Sequence, residues 1–160
     1  MAMRRLDSAG QPLGGIDIGL LDRLMGYPTH TILRRDLLAV LLDHVARAGI
    51  DVLYGHRAMA IDLDDGGRAV ATFDNGVCIR PDLLIGADGR MGSVARRFVA
   101  GDNAPVYQGF VNWIGVASGA GALVDDMAIQ DYWGVGERFG LVPVRQDLVY
   151  WAAAQARPNT

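Results

Sequence analysis

The order of apolar and polar positions divides the chain into short alternating runs around one strongly periodic segment. At 34–48, Leu37, Leu38, Leu41, Val45 and Ala48 fall at i, i+1, i+4, i+8 and i+11, which predicts a helix with a single apolar face. Gly49 is placed to end it. Ahead of it, residues 1–18 alternate and turn at Ser8-Ala-Gly-Gln-Pro12, a hairpin whose second arm is weakened by Gly14-Gly15. Residues 19–30 are ambiguous, with a turn at Gly26-Tyr-Pro28. After the helix, Ile50–Leu53, Arg57–Leu63, Ala69–Phe73 and Val77–Arg80 read as strands, with turn signals at Asp64-Asp-Gly-Gly67 and Asp74-Asn-Gly76. Leu83-Leu-Ile85 is apolar throughout, which predicts a central strand covered on both faces. Ser93–Val99 reads as a short helix, and Gly101-Asp-Asn-Ala-Pro105 as a loop and internal boundary. Beyond it the texture is β, over Tyr107–Ala117, Ile129–Trp133, Phe139–Val144 and Leu148–Ala153.

Composition narrows the class. The 160 residues are enough for one core, and 51% apolar with 21% charged residues is globular. A net charge of −3 gives no reason to expect nucleic acid. All 15 cationic residues are Arg and 17 of the 18 acids are Asp, a pattern we read as codon bias. Cys78 is the single cysteine, so no internal disulfide can form and a reducing, cytoplasmic setting is expected. No apolar run follows the N-terminal residues and no 18-residue apolar window occurs, so neither a signal peptide nor a membrane span is expected. His30, His44 and His56 lack ligand spacing, which argues against a metal. No Ser/His or Cys/His arrangement suggests acyl transfer, and no other catalytic side chain stands out.

The candidate chemistry begins at Leu83–Arg97. Gly86 and Gly89 bracket Asp88 at the carboxyl end of an expected strand, just before a helix. Its carboxylate either accepts a ribose hydroxyl and orients pyrophosphate donors, or braces the strand-to-helix turn; the residues alone leave both open. Arg34 opens the long helix, where a guanidinium suits a planar contact to phosphate or a ring edge, or is a surface arginine. Gly134-Val-Gly136 lies between two strand-like runs with no helix after it, so it reads as a hairpin turn, not a nucleotide loop.

Three stretches carry a resemblance. Asp82-Leu-Leu-Ile-Gly-Ala-Asp-Gly89 with Ser93-Val-Ala-Arg96 resembles the second cofactor motif of the class A flavoprotein monooxygenases, the single-component aromatic hydroxylases. Arg34-Arg-Asp-Leu37 resembles that family's Arg-x-Asp/Glu-Leu. Tyr107-Gln-Gly-Phe-Val-Asn-Trp-Ile-Gly115, continued by Gly134–Pro143 and Val149-Tyr-Trp151, is similar to the start of the substrate-side sheet in the urate hydroxylase branch.

The resemblance implies a mixed α/β fold: the central part of a glutathione-reductase-type FAD-binding fold plus part of a mixed or antiparallel substrate-binding sheet. It divides the chain into a hairpin and connector of the substrate-side sheet (1–30), a partial FAD-binding domain (31–100) and a partial substrate-binding sheet (101–160). It implies FAD and NAD(P)H as cofactors, with Arg34, the Ala58 backbone (in Gly55-His-Arg-Ala58) and Asp88 on the flavin nucleotide. Arg138 and Tyr150, twelve apart, take the positions of the urate branch in which an Arg binds the substrate and a Tyr phenol supports that guanidinium; the plain alternative is sheet packing. The implied substrate is a small aromatic or heteroaromatic anion, hydroxylated with O2.

The family's opening GxGxxG and its later Gly-Asp-Ala-Ala-His-type motif are not in these 160 residues. The chain is therefore expected to be a central fragment, to hold FAD weakly or not at all when isolated, and to associate through exposed sheet edges. Two rivals remain: a non-catalytic remnant or interaction module of the same fold, and a related reductase or epoxidase that shares the Asp-Gly motif.

Overall fold

The computed structural model describes residues 2–101, 104–124 and 126–158. The chain forms two compact units, residues 1–44 with 107–160 and residues 45–106. The expected boundary loop at Gly101–Pro105 contains positions 102 and 103, which lie outside the described residues.

The first unit is built on a six-stranded sheet. Its strands are β1 (Ala2–Asp7), β2 (Pro12–Asp17), β6 (Phe110–Ser118), β7 (Ile129–Gly134), β8 (Glu137–Arg145) and β9 (Leu148–Ala156). They lie in the order β2-β1-β7-β8-β9-β6. Every pairing is antiparallel except β1 with β7, so the sheet is mixed. Short turns dictate the hairpins. Asp7 Oδ1 accepts the Ala9 and Gln11 N–H groups at 2.9 and 2.7 Å and closes the β1–β2 turn. Gly136, at φ +71°, supplies the left-handed residue between β7 and β8, as Gly134-Val-Gly136 predicts. Gly14-Gly15 does not break β2: the Met3 carbonyl runs so close to Gly15 that any Cβ there would collide with it.

The ambiguous stretch after β2 is helix α1 (Ile18–Met25), capped by Asp17, whose side chain accepts the Leu20 N–H at 3.0 Å. The following loop is tied to β8 through the Thr31 hydroxyl, which donates to the Pro143 carbonyl at 2.6 Å. Helix α2 (Arg34–Arg47) agrees with its period, but none of its residues is buried and Leu37, Leu38 and Leu41 are exposed.

The second unit carries a three-stranded antiparallel sheet, β3 (Ala58–Leu63), β4 (Ala69–Phe73) and β5 (Cys78–Ile79), in that order. Asp64 Oδ1 accepts the Gly66 and Arg68 N–H groups and makes the β3–β4 turn. Helix α3 (Val94–Ala100) lies against β3. Two expected strands are absent. Ile50–Leu53 and Leu83–Ile85 are irregular, and Leu83 and Ile85 are 75% and 79% exposed. An apolar run becomes a strand only where a neighbouring strand takes its N–H and C=O groups, and neither run has one here. The mixed α/β class is as expected.

Candidate functional site

The acid loop belongs to the second unit. Asp88 is spent on its own loop: Oδ1 accepts the Ser93 hydroxyl at 2.5 Å, and Oδ2 accepts the Val94 and Ala95 N–H groups at 2.6 and 3.2 Å. The Ser93 hydroxyl foremost, then the Ala95 and Val94 N–H groups, hold this carboxyl below the usual carboxylate range. Ser93 is buried and caps α3 by accepting the Arg96 N–H at 3.0 Å. The Arg96 guanidinium returns to the Gly89 carbonyl at 2.9 Å. Gly86 lies so close to Ala95 that a Cβ there would collide with it, and Gly89 takes φ +85°. The loop thus wraps a cavity of about 400 Å³ lined by Gly86–Gly89, Ser93 and Arg96, among others. Bracing of the turn is what the structure displays for Asp88.

Ala58 also lies in this unit. It opens β3 opposite Phe73, and the register slips between Ala58 and Ala60. Arg34 lies in the first unit, exposed at the first position of α2, with no partner for its guanidinium among the described residues. Taken unit by unit, the residues present fit part of a flavin nucleotide: Arg34 has no guanidinium partner among the described residues, and the Asp88 loop bends its main chain around an open hollow.

Arg138 and Tyr150 share one face of the large sheet. Arg138 pairs with Ala154, and Tyr150 lies four residues before Ala154 on β9, so both side chains leave the same face about 13 Å apart. Both line a cavity of about 250 Å³ that also includes Asn112, Ile114 and Gln130. Arg138 further borders a cavity of about 490 Å³ with Trp113, Tyr132 and Trp133.

The partner that holds Arg138 is not the phenol. Arg138 Nε donates to Asp131 Oδ1 at 2.6 Å and Nη2 to Oδ2 at 3.1 Å, a two-pronged pair. Asp131 is 1% exposed and also accepts the Trp133 indole N–H at 2.7 Å. The Arg5 Nε is 4.0 Å away. The guanidinium carbons of Arg5 and Arg138 each lie 5.2 Å from the Trp133 ring centroid. Asp131, Trp133 and Arg5 were not singled out from the sequence. The signal was present, because a turn centred on Val135-Gly136 sets Trp133 opposite Arg138 and Asp131 diagonal to it.

Among the described residues, no group of three His, Cys, Asp or Glu could hold a metal. Among the same residues, no helix is long and apolar enough to cross a membrane.

No protein-family model matches the chain. Curated relatives and solved structures do. The FAD-dependent urate hydroxylase of Mycolicibacterium vanbaalenii is 33% identical over 131 residues, 79% of this chain and 32% of the relative. The aurachin C monooxygenase/isomerase of Stigmatella aurantiaca is 29% identical over 154 residues, 96% of this chain and 39% of the relative. Klebsiella pneumoniae HpxO, solved in complex with FAD and uric acid, superposes with a TM-score of 0.81 at 26% identity, over 99% of this chain and 40% of that one. The chain therefore spans between about a third and two fifths of the length of these relatives. With such identity across four fifths of its length, the chain belongs to the class A FAD-dependent monooxygenases.

Proposed function

We propose that the polypeptide carrying this segment hydroxylates a small aromatic or heteroaromatic anion with FAD, NAD(P)H and O2, urate being the first substrate to test. The observation that carries this reading is Arg138: a guanidinium fixed by its Nε edge, half exposed, and bordering two cavities on a sheet that matches a urate-bound relative. A fixed cation orients an anionic ring by paired hydrogen bonds and keeps it from tumbling. Tyr150, on the same face, closes the far side of the smaller cavity. Trp133, paired with Arg138 on the same face, supplies apolar wall to the larger one.

Arg34, the Ala58 main chain and the Asp88 loop are the residues proposed to hold FAD. When bound, the flavin supplies the redox chemistry that activates oxygen. The protein's share is binding and orientation. These three contacts are a fraction of what a dinucleotide needs, so the segment alone holds FAD weakly.

The test is steady-state turnover of the polypeptide carrying this segment, with NADH or NADPH and urate. Substrate-stimulated NAD(P)H oxidation with matching O2 uptake is expected. No stimulation by urate, salicylate or para-hydroxybenzoate would overturn the proposal.

A second reading is an interaction module of the same fold. It is favoured by α2, whose leucines are all exposed, and by β2 and β6 at the open edges of the six-stranded sheet. Light scattering of the purified chain decides it: a monomer at tens of micromolar removes this reading.

A further inference from the structure

Asp131 poses a physical problem that Arg138 resolves. It lies on β7, inside the sheet, and is 1% exposed. Burying a carboxylate is unfavourable unless every lone pair is used, and an apolar side chain there would pack at no such cost. Its oxygens take the Nε and Nη2 donors of Arg138 and the Trp133 indole N–H. The guanidinium has five N–H donors. Asp131 occupies the side-on edge, so both Nη1 hydrogens and one on Nη2 have no partner among the described residues. The Arg138 side chain is 51% exposed, so those donors are accessible.

Two further features support a built arrangement. Gly140 is the residue directly across from Asp131, and a Cβ there would lie 3.8 Å from Oδ1. A longer side chain would cover the carboxylate and compete with Arg138. The face also carries a second guanidinium: the Arg5 Nε lies 4.0 Å from the carboxylate and its guanidinium carbon 5.2 Å from the Trp133 ring centroid, while Asp7 pairs with Trp133 on the same face.

We infer that Asp131 is the positioning residue of this site: it holds the Nε–Nη2 edge of Arg138 and so presents the Nη1–Nη2 edge to a planar monoanion with two adjacent acceptor atoms. The inference rests on the proposed substrate role of Arg138. A carboxylate on a ring, or the deprotonated N–C=O edge of an oxidised purine, has that acceptor pair. Without Asp131 the Nε–Nη2 edge has no fixed acceptor, and the guanidinium turns freely about its last bond.

The test is NMR of the isotope-labelled polypeptide carrying this segment, with sodium urate and sodium benzoate as probes. In the wild type, the Arg138 Nε–H exchanges slowly, and both probes shift it together with the Trp133 indole N–H. In Asp131→Asn the Nε–H loses its protection and the apparent affinity falls at least tenfold, while the β9 amide signals stay in place. Arg138→Lys keeps the charge but cannot make the two-pronged pair; the same loss of affinity is expected, and this variant carries the test if Asp131→Asn does not fold. Undiminished binding in either folded variant overturns the positioning role and leaves the substrate reading intact. A wild type with a protected Nε–H that responds to neither probe overturns the substrate reading, and the inference with it.

Discussion

The Ser93 hydroxyl donates to Asp88 at 2.5 Å and accepts from the Arg96 N–H at 3.0 Å, so one buried oxygen ties the acid loop to the helix it opens. Removing it leaves the Arg96 N–H uncapped and Asp88 short of its strongest donor. Ser93→Ala should cost the second unit about 1 kcal/mol. All three Trp lie outside residues 45–106, so amide exchange at β3 and β4 is the measurement, with about a fivefold acceleration expected.

Acid should weaken the fold through four aspartates held below the usual range. For Asp88 the cause is foremost the Ser93 hydroxyl, for Asp22 the Thr29 hydroxyl, for Asp64 the Arg68 N–H and for Asp126 the Ala128 N–H. A carboxyl depressed in the folded state contributes stability above its unfolded value, and that contribution is lost as pH falls through the folded value. Melting temperature should therefore be flat above about pH 5 and drop below about pH 4. Asp64→Asn should shrink the drop; an identical pH profile in that variant contradicts the assignment.

Arg138→Ala should destabilise the first unit by about 2 kcal/mol, because it strips two hydrogen bonds from a carboxylate that water cannot reach. Denaturation followed by tryptophan fluorescence suits this variant, since Trp133 bonds the same carboxylate.

Gly115 leaves room for the Trp151 indole: a Cβ there would lie 2.6 Å from the ring. Gly115→Ala should cost about 1–3 kcal/mol by overpacking between β6 and β9. The same fluorescence melt reads it.

Arg34→Ala should leave stability within about 0.5 kcal/mol, since the side chain is exposed. The proposed flavin contact makes a second readout: FAD affinity of the polypeptide carrying this segment should fall about tenfold. Unchanged affinity removes Arg34 from the cofactor site.

Local order was legible along the chain. The α2 period, the Asp64–Gly67 turn, the Gly134–Gly136 hairpin and the Ser93 helix start all depend on residues within a few positions of one another. So did the resemblance, because its motifs are short and contiguous. The β1–β7 pairing was not legible. It joins segments more than a hundred residues apart in a parallel register, which no turn residue announces. Leu83–Ile85 had the composition of a strand, but composition cannot supply the neighbouring edge that a strand must bond.

The candidate site divides the same way. Arg138 and Tyr150 could be chosen from spacing, and Asp88 from its glycines, because those are properties of residue type and order. Which group holds Arg138 was a matter of register: a slip of one residue between β7 and β8 would turn Asp131 to the opposite face and leave the guanidinium alone. Side chains alternate across a sheet, so only the paired strands decide which charges meet. That Asp131 rather than Tyr150 is the partner belongs to the fold and not to the order of letters.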